Sequence, residues 1–273
     1  MGEKLWYGFA QEHRTYTSLA NQYGLSVKTI QKELDTHEED LKRCLKAKIS
    51  TIKPKSIVIV CDTTYVRRGF GVMVIRDAWR KRTITRRYVE YETVHVFQET
   101  VKDLMKKGWV IKGIVADGRR GILESFPNIP TQMCQFHQIQ IVTRYLTQRP
   151  KFKAGQELRK IALQLPKITQ YQYQKRLDLW YSYWETFLKE RTINEEKRTW
   201  RYTHRSIRSA YYSLKHNAPY LFTCKDSRYT HLNIPNTTNC LDGFFTHLKN
   251  SLRIHRGLKK IRKILLIESL LWD

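Results

Sequence analysis

Two short apolar runs, each followed at once by an aspartate, constrain the fold of this chain most strongly. Residues 56–60 read SIVIV and lead through a cysteine to Asp62, and residues 109–116 read WVIKGIVA and lead to Asp117. Unbroken β-branched runs are typical of strands that are buried on both faces of a sheet. Open sheets of this kind carry their sites at the carboxyl ends of their strands. The two runs therefore predict an α/β fold in which Asp62 and Asp117 face one crevice.

The rest of the pattern predicts a mixed sheet with helices packed on it. Strand-like, helical and apolar segments alternate as strand, strand, strand, helix, strand, helix. The segments involved beyond the two apolar runs are strands at 69–77 and 82–93 and helices at 98–108 and 134–146. We assign residues 50–150 to the first part of this core, 151–235 to a helical insertion without a strand, and 236–273 to the final helices of the core. The last part begins with one long amphipathic helix over 236–255.

The first 49 residues contain the pattern of a helix-turn-helix. Apolar residues at helical spacing flank a turn at Gly24, and Ser26 stands at the N-cap position of the second helix. We interpret residues 1–49 as a small DNA-binding helix-turn-helix domain with a linker. The outward face of its second helix then carries Lys28, Thr29, Gln31 and Lys32. Helical hairpins of other functions share the pattern.

Charge and composition indicate a polyanionic partner. Fifty Lys and Arg against 25 Asp and Glu give a net charge of +25, and such an excess favours nucleic acid through counterion release. The excess is net +10 over residues 50–150 and net +10 over 151–235, against net +1 over 1–49. The alternative is a ribosomal or merely basic protein. The sequence lacks both a long apolar run and a hydrophobic signal region, so we expect no membrane contact and a cytoplasmic location.

Acidic residues at the ends of buried strands need a partner, and a divalent cation is the natural one. Two-metal phosphoryl transfer uses several carboxylates that converge within a few ångströms. A third carboxylate must then come from later in the chain. The alternative for Asp62 or Asp117 taken singly is a turn residue or a helix cap.

Four motifs in one order resemble the DDE transposases of the Mutator-like superfamily, including their bacterial insertion-sequence relatives. The motifs are VCDTT at 60–64, IVADG at 114–118, the CxxH of CQFH at 134–137, and TTNCLDGFF at 237–245. The resemblance implies an RNase H-like mixed sheet that is interrupted by an all-helical insertion and preceded by a small helix-turn-helix domain. The gap of 125 residues between Asp117 and Asp242 leaves room for such an insertion.

The resemblance also implies an activity and a metal site. Asp62, Asp117 and Asp242 would be the catalytic residues and would hold two Mg²⁺ or Mn²⁺ ions for DNA strand cleavage and strand transfer. The partners would be transposon ends and target DNA, bound by a homodimer or larger assembly in the bacterial cytosol beside the nucleoid. Asp242 stands where most relatives have Glu, and Phe245 stands where they have Asn.

Other residues are candidates for DNA contact or local packing. Cys134 and His137 form half of a zinc-site spacing, and we expect them instead to pack or hydrogen bond near the catalytic helix, with His137 a candidate for contact with DNA. Trp200 lies among basic residues and is a candidate for stacking on an unpaired base. The remaining candidates for phosphate contact are Arg119, Lys249, Arg253, His255, Arg256, Lys259 and Lys260.

Two alternative interpretations of the sequence assign the protein to other functional classes. One is a catalytically inactive, transposon-derived DNA-binding regulator that acts through the helix-turn-helix. The other is an RNase H-like nuclease that cuts DNA without joining it. Metal-dependent strand transfer separates the three.

Overall fold

A five-stranded mixed sheet forms the centre of the protein in a computed structural model, which describes residues 1–119, 121–196 and 198–272. Its strand order is β3-β2-β1-β4-β5, in which β1, β2 and β3 are antiparallel neighbours and β1, β4 and β5 are parallel. The strands are β1 (Ser56–Arg67), β2 (Phe70–Asp77), β3 (Thr83–Val89), β4 (Val110–Ala116) and β5 (Thr131–Met133). The predicted α/β class and the mixed sheet are confirmed.

The first strand is longer than its apolar run. The run ends at Val60, but β1 continues to Arg67 because its second half pairs with β2. Only the parallel pairing with β4 stops at Val60, opposite Val115. Asp62 therefore lies inside a strand, two residues beyond the parallel pairing, and not after a strand end as the pattern predicted. The three-residue strand β5 was not predicted, because it is too short to show a period.

Helices cover both faces of the sheet, as the apolar runs predicted. Alternate residues of β1 point to opposite faces, so that Ile57 and Ile59 pack with α4 (Val94–Lys106), while Val58 and Val60 face the other side. That other side is covered by α9 (Asn239–Ile254) and α10 (Lys260–Leu271). The helix α4 begins four residues earlier than predicted, because the side chain of Thr93 caps its N-terminus.

The segment between the two parts of the core has its own apolar core. After α5 (Gln135–Leu146), the helices α6 (Lys153–Leu163), α7 (Gln170–Lys189) and α8 (Arg205–Leu221) pack around buried residues such as Tyr173 and Leu214. The prediction of a strand-free insertion is wrong. A two-stranded hairpin, β6 (Arg191–Asn194) and β7 (Thr199–Tyr202), stands between α7 and α8. Its strands are four residues long and largely exposed, so they show no apolar run.

The N-terminal helices share a core with the final helices. The helices are α1 (Gly2–Ala10), α2 (Tyr16–Tyr23) and α3 (Val27–Ser50). The predicted turn is present, with Gly24 at φ 64° and the Ser26 hydroxyl accepting from the Thr29 amide at 3.0 Å. The segment 38–48 continues α3. Phe9 and Leu34 lie in one apolar cluster with residues of α9 and α10, so the packing shows no separate unit over 1–49.

None of the described helices is both long and apolar enough to cross a membrane.

Candidate metal centre

Three side chains from distant parts of the chain meet at one edge of the sheet. Asp62 of β1, His137 of α5 and Asp242 of α9 each offer a ligand atom, and these atoms lie within 4.8 Å of one another. All three side chains are partly exposed. The predicted convergence of Asp62 with Asp242 is present, and His137 joins them.

Asp117 lies beside this cluster rather than within it. It follows the last residue of β4, and its Oδ1 accepts a hydrogen bond from the Arg119 amide at 3.1 Å. Its charge acts on both Asp62 and His137. A Cβ on Gly118 would stand 2.1 Å from the terminal methyl carbon of Met133, so a larger residue there would have to displace that side chain. The sheet therefore brings two of the predicted acids, Asp62 and Asp117, next to each other, and α9 supplies the third, Asp242.

Contacts between the starts of α5 and α9 bring Asp242 to the sheet. The Cys134 amide donates to the Ala116 carbonyl at 2.8 Å, which fixes α5 to the end of β4. The Thr238 amide and hydroxyl both lie 3.4 Å from the Cys134 sulfur. Cys134 thus hydrogen bonds at the start of α9, as we predicted for the CxxH pair. The Thr238 hydroxyl contacts this sulfur and caps no amide of α9.

Asp242 lies at the border of an apolar stripe. Leu241, Phe245, Leu248 and Leu252 are buried, and the side chain of Asp242 is half-buried. Its Oδ2 is buried without a hydrogen-bond partner among the described residues. A buried carboxylate oxygen without a donor is costly unless a cation or another group satisfies it. The site therefore fits a bound cation at Asp242.

Burial and neighbouring acids make the charged form of Asp62 unfavourable. Burial raises the pKa of Asp62 to about 7, and the charges of Asp117 and Asp242 add to the rise, while His137 opposes it. A divalent cation would relieve this repulsion and favour the ionised carboxylate. Carboxylates suit Mg²⁺ and Mn²⁺, whereas an imidazole ligand is more typical of Zn²⁺ and other transition metals.

A raised pKa favours the protonated, positively charged form of His137 at neutral pH. Contact with the Cys134 sulfur is the main cause that raises the pKa of His137 to about 9, and the charges of Asp62 and Asp117 contribute. Burial acts in the opposite direction. The buried Nδ1 of His137 makes no hydrogen bond with a described residue. The imidazole must lose a proton before it can bind a cation directly.

No protein-family model matches this chain, and no curated protein matches it significantly.

The sequence pattern missed Glu92, a further acid at this edge of the sheet. Its Oε1 accepts a hydrogen bond at 2.8 Å from the hydroxyl of Thr63, the neighbour of Asp62. Burial and the charge of Asp117 raise the pKa of Glu92. The pattern extended strand β3 to Thr93, whereas the strand ends at Val89. Glu92 therefore gave no strand-end signal of the kind that identified the other acids.

Two other acids late in the chain, Glu268 and Asp226, are engaged away from this site. Glu268 accepts hydrogen bonds from Arg86, Tyr88 and Trp272. Asp226 pairs with Arg228 at 2.6 Å.

The residues predicted to contact DNA are exposed, with one exception. His255 is buried, and its Nε2 lies 2.9 Å from the Phe9 carbonyl, so the prediction that it contacts phosphate is wrong. His255 follows the last residue of α9, at the contact of that helix with α1. The basic residues around His255 in the sequence gave no sign of this contact. Trp200 is 51% exposed, and the guanidinium of Arg191 lies 3.9 Å from its ring centroid. The other exposed residues are Lys28, Thr29, Gln31, Lys32, Arg119, Lys249, Arg253, Arg256, Lys259 and Lys260.

Proposed function

We propose that this protein is a DDE transposase, which cuts DNA and joins the cut ends to a target in a metal-dependent reaction. One observation carries the proposal. The three acids of the resemblance motifs, which are far apart in sequence, meet at one edge of the sheet, with Asp62 and Asp242 in the 4.8 Å cluster and Asp117 beside them. Three aspartates that served only as turn residues or helix caps would not be expected to converge at one place.

The order of elements supports an RNase H-like core. Three antiparallel strands, a helix, two parallel strands and a further helix follow one another, and a mixed sheet of this kind is what the resemblance implies. The segment 151–235 separates the second acid from the third, and it is mainly helical. The helical hairpin of α2 and α3, with Lys28 and Lys32 exposed on α3, supports recognition of transposon ends by a helix-turn-helix.

The residues of the site have separable tasks. Asp62, Asp117 and Asp242 would hold two Mg²⁺ or Mn²⁺ ions, which would activate the attacking oxygen and stabilise the leaving oxygen. Protonated His137 offsets the charge of the carboxylates and favours the approach of a phosphodiester. The net charge of +25 attracts the DNA backbone. Cutting two ends together calls for a homodimer or larger assembly, acting in the cytosol beside the nucleoid.

Strand transfer by the Asp62→Ala variant tests the proposal. Labelled duplexes that carry the ends of the surrounding element are incubated with full-length protein and Mg²⁺ or Mn²⁺. We expect the wild type to cut and join, and Asp62→Ala to do neither while it binds the duplex as before, because the basic surface is unchanged.

The same assay separates the competing functions. Cutting without joining by the wild type would identify a nuclease. Binding without cutting by the wild type, under every metal condition, would identify an inactive regulator.

A further inference from the structure

Helix α5 begins at the metal centre and is held firmly there. Its first turn carries His137, one of the three groups of the cluster. The Cys134 amide donates to the Ala116 carbonyl at 2.8 Å, and the Gln135 amide donates to the Asn236 carbonyl at 2.9 Å. The start of α5 is therefore fixed both to the sheet and to the segment that leads into α9.

One side of α5 is buried and the opposite side is exposed. Gln138 and Val142 are buried, and the Gln138 side chain donates to the Ser213 hydroxyl of α8 at 3.1 Å. With 3.6 residues per turn, positions two residues away from these point in the opposite direction. That side carries three exposed residues one helical turn apart, Phe136, Gln140 and Arg144.

Phe136 is an exposed aromatic residue next to the metal centre. It is 42% exposed and belongs to none of the three apolar clusters that the described residues form. Its ring centroid lies 6.2 Å from that of His137. Single exposed apolar side chains are common on protein surfaces, so the position of this ring is what matters. A ring that is fixed beside a site for DNA cleavage can stack on a nucleobase.

The exposed side of α5 also suits a polyanion. The helix contains Arg144 and no Asp or Glu. A rise of 1.5 Å per residue places Phe136 and Arg144 about 12 Å apart along the helix axis, which corresponds to three or four nucleotides of one DNA strand at about 3.4 Å each. An aromatic ring at one end and a guanidinium at the other therefore match a base and a phosphate of the same strand.

We propose that the exposed side of α5 binds the DNA strand that leads to the metal centre, with Phe136 stacked on an unpaired base next to the scissile phosphate and Arg144 bound to a phosphate farther along that strand. The inference rests on the proposed function and adds a DNA contact outside its metal-binding acids. Stacking on Phe136 fixes the base, and this holds the neighbouring phosphate over the carboxylates.

Photocrosslinking in the presence of a chelator tests the stacking without any DNA reaction. Full-length protein is mixed with duplexes that carry the ends of the element, in which iodouracil replaces each base at the junction with the flanking DNA in turn. Irradiated iodouracil forms a covalent bond with an aromatic side chain that stacks on it. We expect an adduct that mass spectrometry locates at Phe136.

Variants of Phe136 make the result specific. Phe136→Leu should lose the adduct and bind an element end with unpaired terminal bases at least about 5-fold more weakly, because stacking contributes at least about this factor per base. Phe136→Trp should keep the affinity. Tyr145→Leu is the matched control and should change neither property, since Tyr145 is also 42% exposed but lies on the other side of the same helix.

Arg144 is tested through the salt dependence of binding. Arg144→Gln should lower the slope of log affinity against log salt by about 1 and leave the adduct at Phe136 in place, because it removes one phosphate contact. An unchanged slope would overturn the path of the strand along α5.

The outcomes distinguish this inference from the proposed function. A wild type that cuts and joins the element ends, but forms its adducts at residues other than Phe136, would overturn the inference and leave the proposed transposase standing. Equal loss of affinity in Tyr145→Leu and Phe136→Leu would overturn it as well, because a general disturbance of α5 would then be responsible. A wild type without affinity for the element ends would overturn both.

Discussion

At the scale of single residues, the site combines groups that are unfavourable in the absence of a cation. Asp242 Oδ2 is buried without a partner, Asp62 has a raised pKa, and Glu92 is mostly buried with a weak ion pair. Functional sites commonly hold such groups at a cost in stability. Changes at these residues should therefore move stability and activity in opposite directions.

Asp242 gives the clearest example of this opposition. Asp242→Asn should cut DNA slower by orders of magnitude, because a ligand is lost, while its metal-free melting temperature equals or exceeds that of the wild type. Asp242→Glu should keep part of the activity, since it keeps the carboxylate. Thermal melting with and without Mn²⁺ provides the second measurement, because a bound ion at about 100 times its Kd stabilises by about 2.7 kcal/mol. Equal activity of Asp242→Asn and wild type would place the third ligand elsewhere.

Asp62 should make the metal-free protein less stable as the pH rises. Its folded pKa of about 7 lies above the ordinary value of 3.8. The folded state therefore holds the proton more tightly than the unfolded state, and the stabilisation disappears as the pH passes through 7. Between pH 5 and pH 8 we expect a loss of about 2–3 kcal/mol in the free energy of unfolding.

Denaturation in chelator at the two pH values measures this loss. Asp62→Asn cannot titrate and should lose less stability over the same range. His137, whose pKa is raised to about 9, acts in the same direction and remains in both proteins. An identical pH dependence of the two proteins would contradict the assignment of the raised pKa to Asp62.

The sequence predicted part of this residue-scale arrangement. Asp62 and Asp117 were identifiable because they follow apolar runs, and Asp242 through its motif. Glu92 was not identifiable in this way. It lies in the loop after an edge strand, where nothing in the local sequence distinguishes a buried acid beside the site from a solvated one. The interaction of Thr238 with Cys134 joins residues far apart in sequence, so a local capping rule could not anticipate it.

At the scale of elements, α10 is fixed to the sheet through a buried polar contact. Glu268 is 8% exposed and accepts hydrogen bonds from Arg86 at 2.7 Å, from Tyr88 at 2.7 Å and from Trp272 at 2.9 Å. Arg86 and Tyr88 belong to β3, an edge strand of the sheet. This single carboxylate therefore holds the last helix against the strand farthest from β5.

Removal of this carboxylate should loosen α10 without disturbing the metal centre. Glu268→Ala leaves three donors without their acceptor, and we expect a loss of about 2–4 kcal/mol in the free energy of unfolding. Glu99→Ala, an exposed acid on α4, should change it by less than about 0.5 kcal/mol. Chemical denaturation measures both, and Mn²⁺ binding at a temperature where both are folded should be unchanged. A large loss of Mn²⁺ affinity in Glu268→Ala would contradict this separation.

The helices and strands were predictable where the periodic pattern of apolar residues extended over many residues. Buried strands and amphipathic helices followed from apolar spacing, and most departures concern their ends. The hairpin of β6 and β7 escaped prediction because exposed short strands are specified by cross-strand pairing, which leaves little trace in a single strand.

At the scale of the whole molecule, DNA affinity and DNA preference should come from different surfaces. Residues 50–273 carry a net charge of +24 of the total +25, whereas Lys28 and Lys32 are exposed on a nearly neutral N-terminal segment. Phosphate contacts supply affinity and salt dependence, and base contacts supply preference.

Paired variants separate the two contributions. The double variant Lys28→Ala with Lys32→Ala should lose preference for the element's ends, with general affinity reduced only modestly. Lys259→Ala with Lys260→Ala should weaken binding to all duplexes and lower the slope of log affinity against log salt by about 1–2. Fluorescence anisotropy over a salt series measures both. Loss of all DNA affinity in the first variant would contradict the prediction that the residues after 49 supply most of the DNA affinity.

Deletion of residues 1–49 is not an equivalent experiment. Phe9 and Leu34 are fully buried against α9 and α10, and their removal would expose an apolar surface of the body. We expect the shortened protein to be less stable and to aggregate, and a light-scattering measurement would show it.

The contact between α1 and α9 can form only late in protein synthesis. His255 and the Phe9 carbonyl with which it interacts are 246 residues apart in the chain. Helices α1 to α3 leave the ribosome first, yet their apolar faces stay uncovered until α9 and α10 emerge, and closing so long a separation is slow. A nascent chain therefore exposes α3 long before that helix is fixed in place. Ribosomes that stall before the last helices would release proteins without a completed N-terminal core, and proteases would remove them before they could bind DNA.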